Sequence, residues 1–315
     1  MLGLVTYSKM RGSAVEWARP DSCDFNGNSV LKNIRAFAAE HPLVLAVLLL
    51  LVAATYFLAP VFFVDASQLF GHGQQQKGAS DFAGGLWAEI GLAGVLVFAV
   101  VLIGWTRETR LSVAPGWRAS LLTLPYIALI LLMVLAVYWS VYRQDDDFAL
   151  TAAEWRAIWL ASFVALVVGF FEELLFRGVL LHGLRSKMPA IPAVLVAALV
   201  FGAFHFVNWV SGQPLDVTIL QVISAAGGGV LYGALVLWTG SLWPSIVMHG
   251  LWDAGVTLNQ TMLKTRESAG ASGGGAAETT EVTLSPFYAL LSPELIYGLI
   301  LLGLWGWWNH RRPSS

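Results

Sequence analysis

Long apolar runs separated by short polar breaks occupy most of this chain. A helix that crosses a bilayer needs about 20 consecutive, mostly apolar residues. Eight stretches satisfy that requirement: Leu43–Val64, Leu86–Trp105, Leu121–Val141, Trp155–Leu175, Ala190–Val210, Ile219–Trp238, Leu242–Met262 and Phe287–Trp308. They predict an all-α, polytopic transmembrane bundle. The fourth pattern continues through Arg177 to about Arg185, longer than a bilayer requires, so this helix is expected to tilt or to project past the membrane face. Ahead of the first span, Lys9, Arg11, Asp21, Asp24, Lys32 and Arg35 give a polar tail. It lacks the apolar core and small-residue cleavage site of a signal peptide. At its end Val30, Leu31, Ile34 and Phe37 recur at helical spacing, which predicts a helix lying on the membrane surface. The chain thus divides into a tail (1–41), three N-terminal spans (42–150), a core of helices (151–265), and a loop with the last span (266–315).

Composition agrees with the pattern: 57% of the residues are hydrophobic and 12% charged, against about 25% charged in soluble domains. The bilayer is the first partner. A net charge of −2 leaves no basic surface for nucleic acid. Cys23 is the sole cysteine, which excludes an intrachain disulfide and a Cys-rich metal site and leaves an inert thiol. Lys and Arg outside the motif described below divide twelve against five between the two sides, the majority with the tail, so both termini are expected in the cytoplasm. On the other side Gly270–Ala277 reads as a flexible loop and Asp145–Asp147 as a solvated one. Trp305, Trp307 and Trp308 read as interfacial anchors. Ala225, Gly229 and Gly233 put small residues on one helix face, for close helix packing. No internal repeat and no matched pair of broken helices of the transporter kind is visible.

Ionisable residues at membrane depth are costly and are functional candidates by default. Glu89 and Glu294 fall toward the outer ends of their spans and read as interfacial. What remains is Glu172, Glu173 and Arg177 on the fourth span, His205 on the fifth, and His249 and Asp253 on the seventh. Glu173 and Arg177 are four apart with the acid N-terminal, the favoured order for an ion pair. Glu172 lies about 100° round the helix from Glu173 and is left for chemistry. A turn near Lys187–Pro192 divides the 33 positions from Glu172 to His205 almost evenly, so a helical hairpin would set the two at similar depth. His249 and Asp253, also four apart, share a face. Each element alone has a structural explanation: a packing ion pair, a satisfied core histidine, a bond within one helix. Their conjunction on three helices carries the functional inference.

Those residues also form motifs. Phe171-Glu172-Glu173-Leu174-Leu175-Phe176-Arg177-Gly178 resembles the E-E-x-x-x-R signature of the CAAX-processing and bacteriocin-processing (CPBP, or Abi) intramembrane endopeptidases, the type 2 CAAX prenyl protease group. Phe201-Gly202-Ala203-Phe204-His205 matches its F-x-x-x-H, and His249-Gly250-Leu251-Trp252-Asp253 its H-x-x-x-N/D. The resemblance covers about residues 155–260. It implies an intramembrane protease in which Glu172, together with His205, activates water. His249 and Asp253 would stabilise the oxyanion, and Glu173 with Arg177 would organise the site. Where the family has Asn, a neutral donor is present, whereas an ionised Asp only accepts. Asp253 would then either orient His249 or carry a proton.

The resemblance leaves two mechanisms open. Glu172, His205 and His249 could ligate Zn²⁺ with a water in the fourth position, as in a metalloprotease, or a metal-free glutamate mechanism could operate, toward which this site, lacking H-E-x-x-H, inclines. The substrate class is a membrane-associated peptide or protein, such as a C-terminal CAAX sequence or a bacteriocin precursor, and the expected location is a prokaryotic cytoplasmic membrane. Competing functions are an ion- or proton-coupled transporter and a non-catalytic membrane scaffold.

Overall fold

The computed structural model of the chain describes residues 29–63, 79–143, 149–271 and 292–311. The tail before Ser29, Cys23 with it, the Asp145–Asp147 run and most of the Gly270–Ala277 loop lie outside the described residues. Among those described, every regular element is helical: α1 (Ser29–Glu40), α2 (Pro42–Phe63), α3 (Ala79–Ile103), α4 (Trp117–Tyr142), α5 (Ala152–Arg185), α6 (Ala190–Val210), α7 (Leu215–Thr239), α8 (Trp243–Ala271) and α9 (Pro293–His310).

Among the described residues each of the eight expected spans is matched by a helix, α2 to α9, and five of these are both long and apolar enough to cross a membrane: α2, α4, α5, α6 and α7. The described part of α3 offers a shorter apolar stretch, Glu89–Ile103. The shortfall in α8 and α9 has a plain cause. His249, Asp253, Asn259, Gln260 and Lys264 interrupt α8, and α9 has 18 residues with Glu294 near one end and Asn309 and His310 at the other.

α1 is helical over the stretch where Val30, Leu31, Ile34 and Phe37 recur. Only Ala38 is buried, Val30, Ile34 and Phe37 form an exposed apolar face, and Arg35 Nε donates to Leu102 O at the end of α3. On the spans, large apolar side chains such as Leu51, Phe98, Leu132 and Trp159 point outward. An apolar exterior of this extent marks a surface made for lipid. Trp307 and Trp308 are exposed near the end of α9, where Arg311 lies over the Trp307 ring.

Two helix contacts position the polar residues. α7 packs between α6 and α9, and the small-residue face allows the approach. A Cβ on Gly229 would stand 2.9 Å from Ala198 Cα, and one on Gly233 2.6 Å from Val194 Cγ1. α8 packs on α5, where a Cβ on Gly169 would stand 3.2 Å from Gly250 N. That crossing sets His249 directly beside the acidic end of the first α5 segment.

α5 starts on a capping box. Thr151 Oγ1 accepts from Glu154 N while Glu154 Oε2 accepts from Thr151 N at 2.7 Å, satisfying two donors that a helix start leaves open. The start of α8 is fixed from the 104–116 segment: Leu242 N donates to Arg110 O at 3.2 Å and Trp243 Nε1 to Leu111 O at 3.0 Å.

Candidate active site

α5 runs the full length expected of it, but not as one regular helix. After Glu173 the backbone widens into a π-helical stretch, Leu174–Leu180, before the α-helical Leu181–Arg185. All seven π residues are buried. π segments within α-helices are uncommon and gather at functional sites. This one holds Arg177 and follows directly on the two acids.

Within it the expected ion pair is formed. Arg177 Nη1 donates to Glu173 Oε1 at 2.8 Å, and both side chains are almost fully enclosed, at 1% and 0% exposed. The guanidinium also lies over two rings, 4.1 Å from the centroid of Phe201 and 5.3 Å from that of Tyr232. Aromatic faces attract such a cation most where water is absent.

Glu173 Oε1 accepts a second bond, from His249 Nδ1 at 2.9 Å. A carboxylate oxygen can only accept, so the Nδ1 proton is held there and Nε2 turns to the other side of the ring. There it meets Glu172 Oε2 at 3.4 Å and Asp253 Oδ2 at 3.5 Å. One imidazole thus touches three carboxyl groups from two helices. Orienting a histidine by a bond to its second nitrogen is a common device. Here Glu173 supplies it, a role that the sequence offered to Asp253.

His205 is set by a break in its own helix. α6 is α-helical over Ala190–Phe204, turns at His205 and resumes over Phe206–Val210. At the break His205 N donates to Gly202 O, one residue short of the α-helical partner, Phe201 O. His205 Nδ1 takes up that carbonyl at 3.0 Å. Since a carbonyl only accepts, the neutral ring presents its Nε2 lone pair outward, as a base requires. Phe201 stands edge-on to both imidazoles, with centroids 5.0 Å from His205 and 5.8 Å from His249.

The structure therefore gathers Glu172, Glu173, Arg177, His249 and Asp253 by direct contact, and sets His205 within electrostatic reach of His249, Asp253 and Arg177. The expected facing pair across the hairpin is different: the histidine at ion-pair distance from Glu172 is His249, and among the described residues no such contact joins Glu172 to His205.

Two acids read as interfacial are corrected. Glu294 is 6% exposed and accepts from Tyr126 Oη at 3.1 Å. It is drawn inward because α9 starts within the bundle, where Ser292 and Leu295 lie against Gly227 of α7. Glu89 is partly buried on α3, its Oε2 has no hydrogen-bond partner among the described residues, and the charge it feels is that of Glu172. Depth along a helix, which sequence gives, does not reveal which way a side chain turns. Tyr232 is part of no motif and was missed as a site residue; Phe201, which opens the F-x-x-x-H motif, is the second ring over the Arg177 guanidinium.

Among the described residues no three His, Cys, Asp or Glu side chains are grouped to hold a metal ion. Glu172 and His249 are adjacent, but His205 does not join them as a third ligand, and His249 Nε2 is already shared between two carboxyl groups. The arrangement does not fit a zinc ion.

Residues 154–255, roughly a third of the chain, match the family model described as type II CAAX prenyl endopeptidase Rce1-like. The match bears out the family resemblance of the three motifs, and all six candidate residues fall inside it. No curated protein and no solved structure matches the chain.

Proposed function

We propose that the chain is an intramembrane endopeptidase that hydrolyses a peptide bond of a membrane-associated substrate, with Glu172 as the general base. The observation that carries this reading is the contact set of Glu172, Glu173, His249 and Asp253 across the α5–α8 crossing, with Glu173 and His249 buried and Glu172 and Asp253 partly open. Amide hydrolysis at neutral pH needs a base for water and donors for the developing oxyanion. Water held by Glu172, with His205 Nε2 as the second acceptor, attacks the carbonyl carbon and gives its proton to Glu172. The oxyanion takes a hydrogen bond from His249, whose ring Glu173 and Arg177 hold in place. Asp253 beside Nε2 favours the imidazolium that donates best. As the C–N bond breaks, Glu172 returns the proton to the leaving nitrogen, so a carboxylic acid and an amine are released and the base is restored.

An apolar groove of about 360 Å³ between α3 and α5 is lined by Ile90, Ala93, Phe163, Leu166, Val167 and Phe170. It supports approach of an apolar substrate segment from the lipid side, as a lipidated CAAX-like C-terminus or a membrane peptide precursor would require.

Comparative peptidomics of membranes carrying the wild type and Glu172→Ala provides the test. At least one membrane peptide is expected to be cut only with the wild type, and identical peptide profiles would overturn the reading. Dialysis of the reconstituted protein against a metal chelator is expected to leave cleavage of that peptide unchanged. A loss restored by added zinc would replace the glutamate mechanism with a metal-dependent one.

A further inference from the structure

Behind the imidazole of His249 lies a polar run that the proposed mechanism does not use. The Tyr232 ring stacks on that imidazole, with centroids 5.0 Å apart and planes at 17°. The hydroxyl of Tyr232 meets that of Tyr126, and Tyr126 in turn donates to Glu294 Oε1 at 3.1 Å. A phenol has one proton to donate. Tyr126 gives that proton to Glu294, which fixes its hydroxyl beside that of Tyr232. All three are enclosed, at 3%, 2% and 6% exposed. Tyr126 also stacks on Trp252, inside the H-x-x-x-D motif, with centroids 5.8 Å apart.

Glu173 holds one nitrogen of the ring, yet a single edge bond leaves the imidazole able to pivot about it. A flat neighbour pinned at its far end removes that freedom. We infer that Glu294, Tyr126 and Tyr232 are positioning residues that fix the plane of His249, so that Nε2 stays between Glu172 and Asp253. This rests on the reading of His249 as oxyanion donor. It gives α4 and α9, both outside the family-matched segment, a part in the site.

The test uses the full chain in lipid nanodiscs with isotope-labelled histidine, the His249 resonance being assigned by its loss in His249→Gln. Tyr126→Phe keeps the Trp252 stack and removes the hydroxyl. Glu294→Leu removes the acceptor, and Glu294→Gln retains an acceptor oxygen. Tyr126→Phe and Glu294→Leu are expected to shift or broaden the His249 ring signals, and Glu294→Gln to leave them close to wild type. With the peptide identified by peptidomics, the first two should lower kcat by about three- to tenfold with KM unchanged, the worth of one hydrogen bond. His249 signals identical to wild type in Tyr126→Phe would overturn the inference, and this variant decides the matter should Glu294→Leu fail to fold. Absence of any cleavage by the wild type would overturn the protease reading instead, while the resonance still reports on the chain.

Discussion

Replacing Glu172 by Gln is expected to lower the single-turnover rate of peptide cleavage by about 10²- to 10⁴-fold, the usual contribution of a positioned general base. The bundle should stay folded. Gln has the shape of Glu and keeps a carbonyl oxygen and an amide NH2 to face His249, but it cannot take a proton from water. The Glu172 side chain is 16% exposed, the most open of the two adjacent acids, and its one close partner is His249 Nε2 at 3.4 Å. Losing that attraction is offset by relief of repulsion among three carboxyl groups gathered on one ring. Thermal unfolding in detergent should therefore change little while turnover collapses. Wild-type turnover in the Gln variant would remove Glu172 from the chemistry. A large loss of thermal stability would make its role structural, as the scaffold alternative requires.

Much of this arrangement could be read from the residues alone, for an identifiable reason. Helical period fixes what lies on one face of one helix, so the Glu173–Arg177 pair and the shared face of His249 and Asp253 follow from spacing. Small residues at Gly229 and Gly233 announced a close helix contact, and α7 makes it with α6. Contacts between helices are another matter, because rotation about each axis is decided by packing. Hence His205 was paired with Glu172, whereas the α5–α8 crossing at Gly169 and Gly250 brings in His249. The π stretch at Leu174–Leu180 has no signature in residue type, and neither does the break at His205 that turns its Nδ1 back on Phe201. Tyr126, Tyr232 and Glu294 come from three helices and share no motif. Only their contacts unite them.

Replacing Arg177 by Met is expected to destabilise the protein by about 3–5 kcal/mol, the effect of leaving one member of a buried ion pair without its partner. Among the described residues Arg177 is the one cation in direct contact with Glu173 apart from His249, and Glu173 is wholly enclosed. The guanidinium fills the space between Phe201 and Tyr232, and a Cβ at Gly229 would already crowd its Nη2 at 3.2 Å. Met has the length to occupy part of that space, so the loss reports charge more than volume. The double variant Glu173→Leu/Arg177→Met should recover most of the stability, since apolar pairs of similar size commonly match or exceed buried ion pairs. It should nevertheless remain inactive, because His249 Nδ1 would have lost the acceptor that orients the ring. Thermal unfolding of the two variants and cleavage by the double variant separate these effects. A single variant as stable as wild type would show that Glu173 does not need the guanidinium. An active double variant would show that the pair serves the fold and that something other than Glu173 holds His249 in register with Glu172.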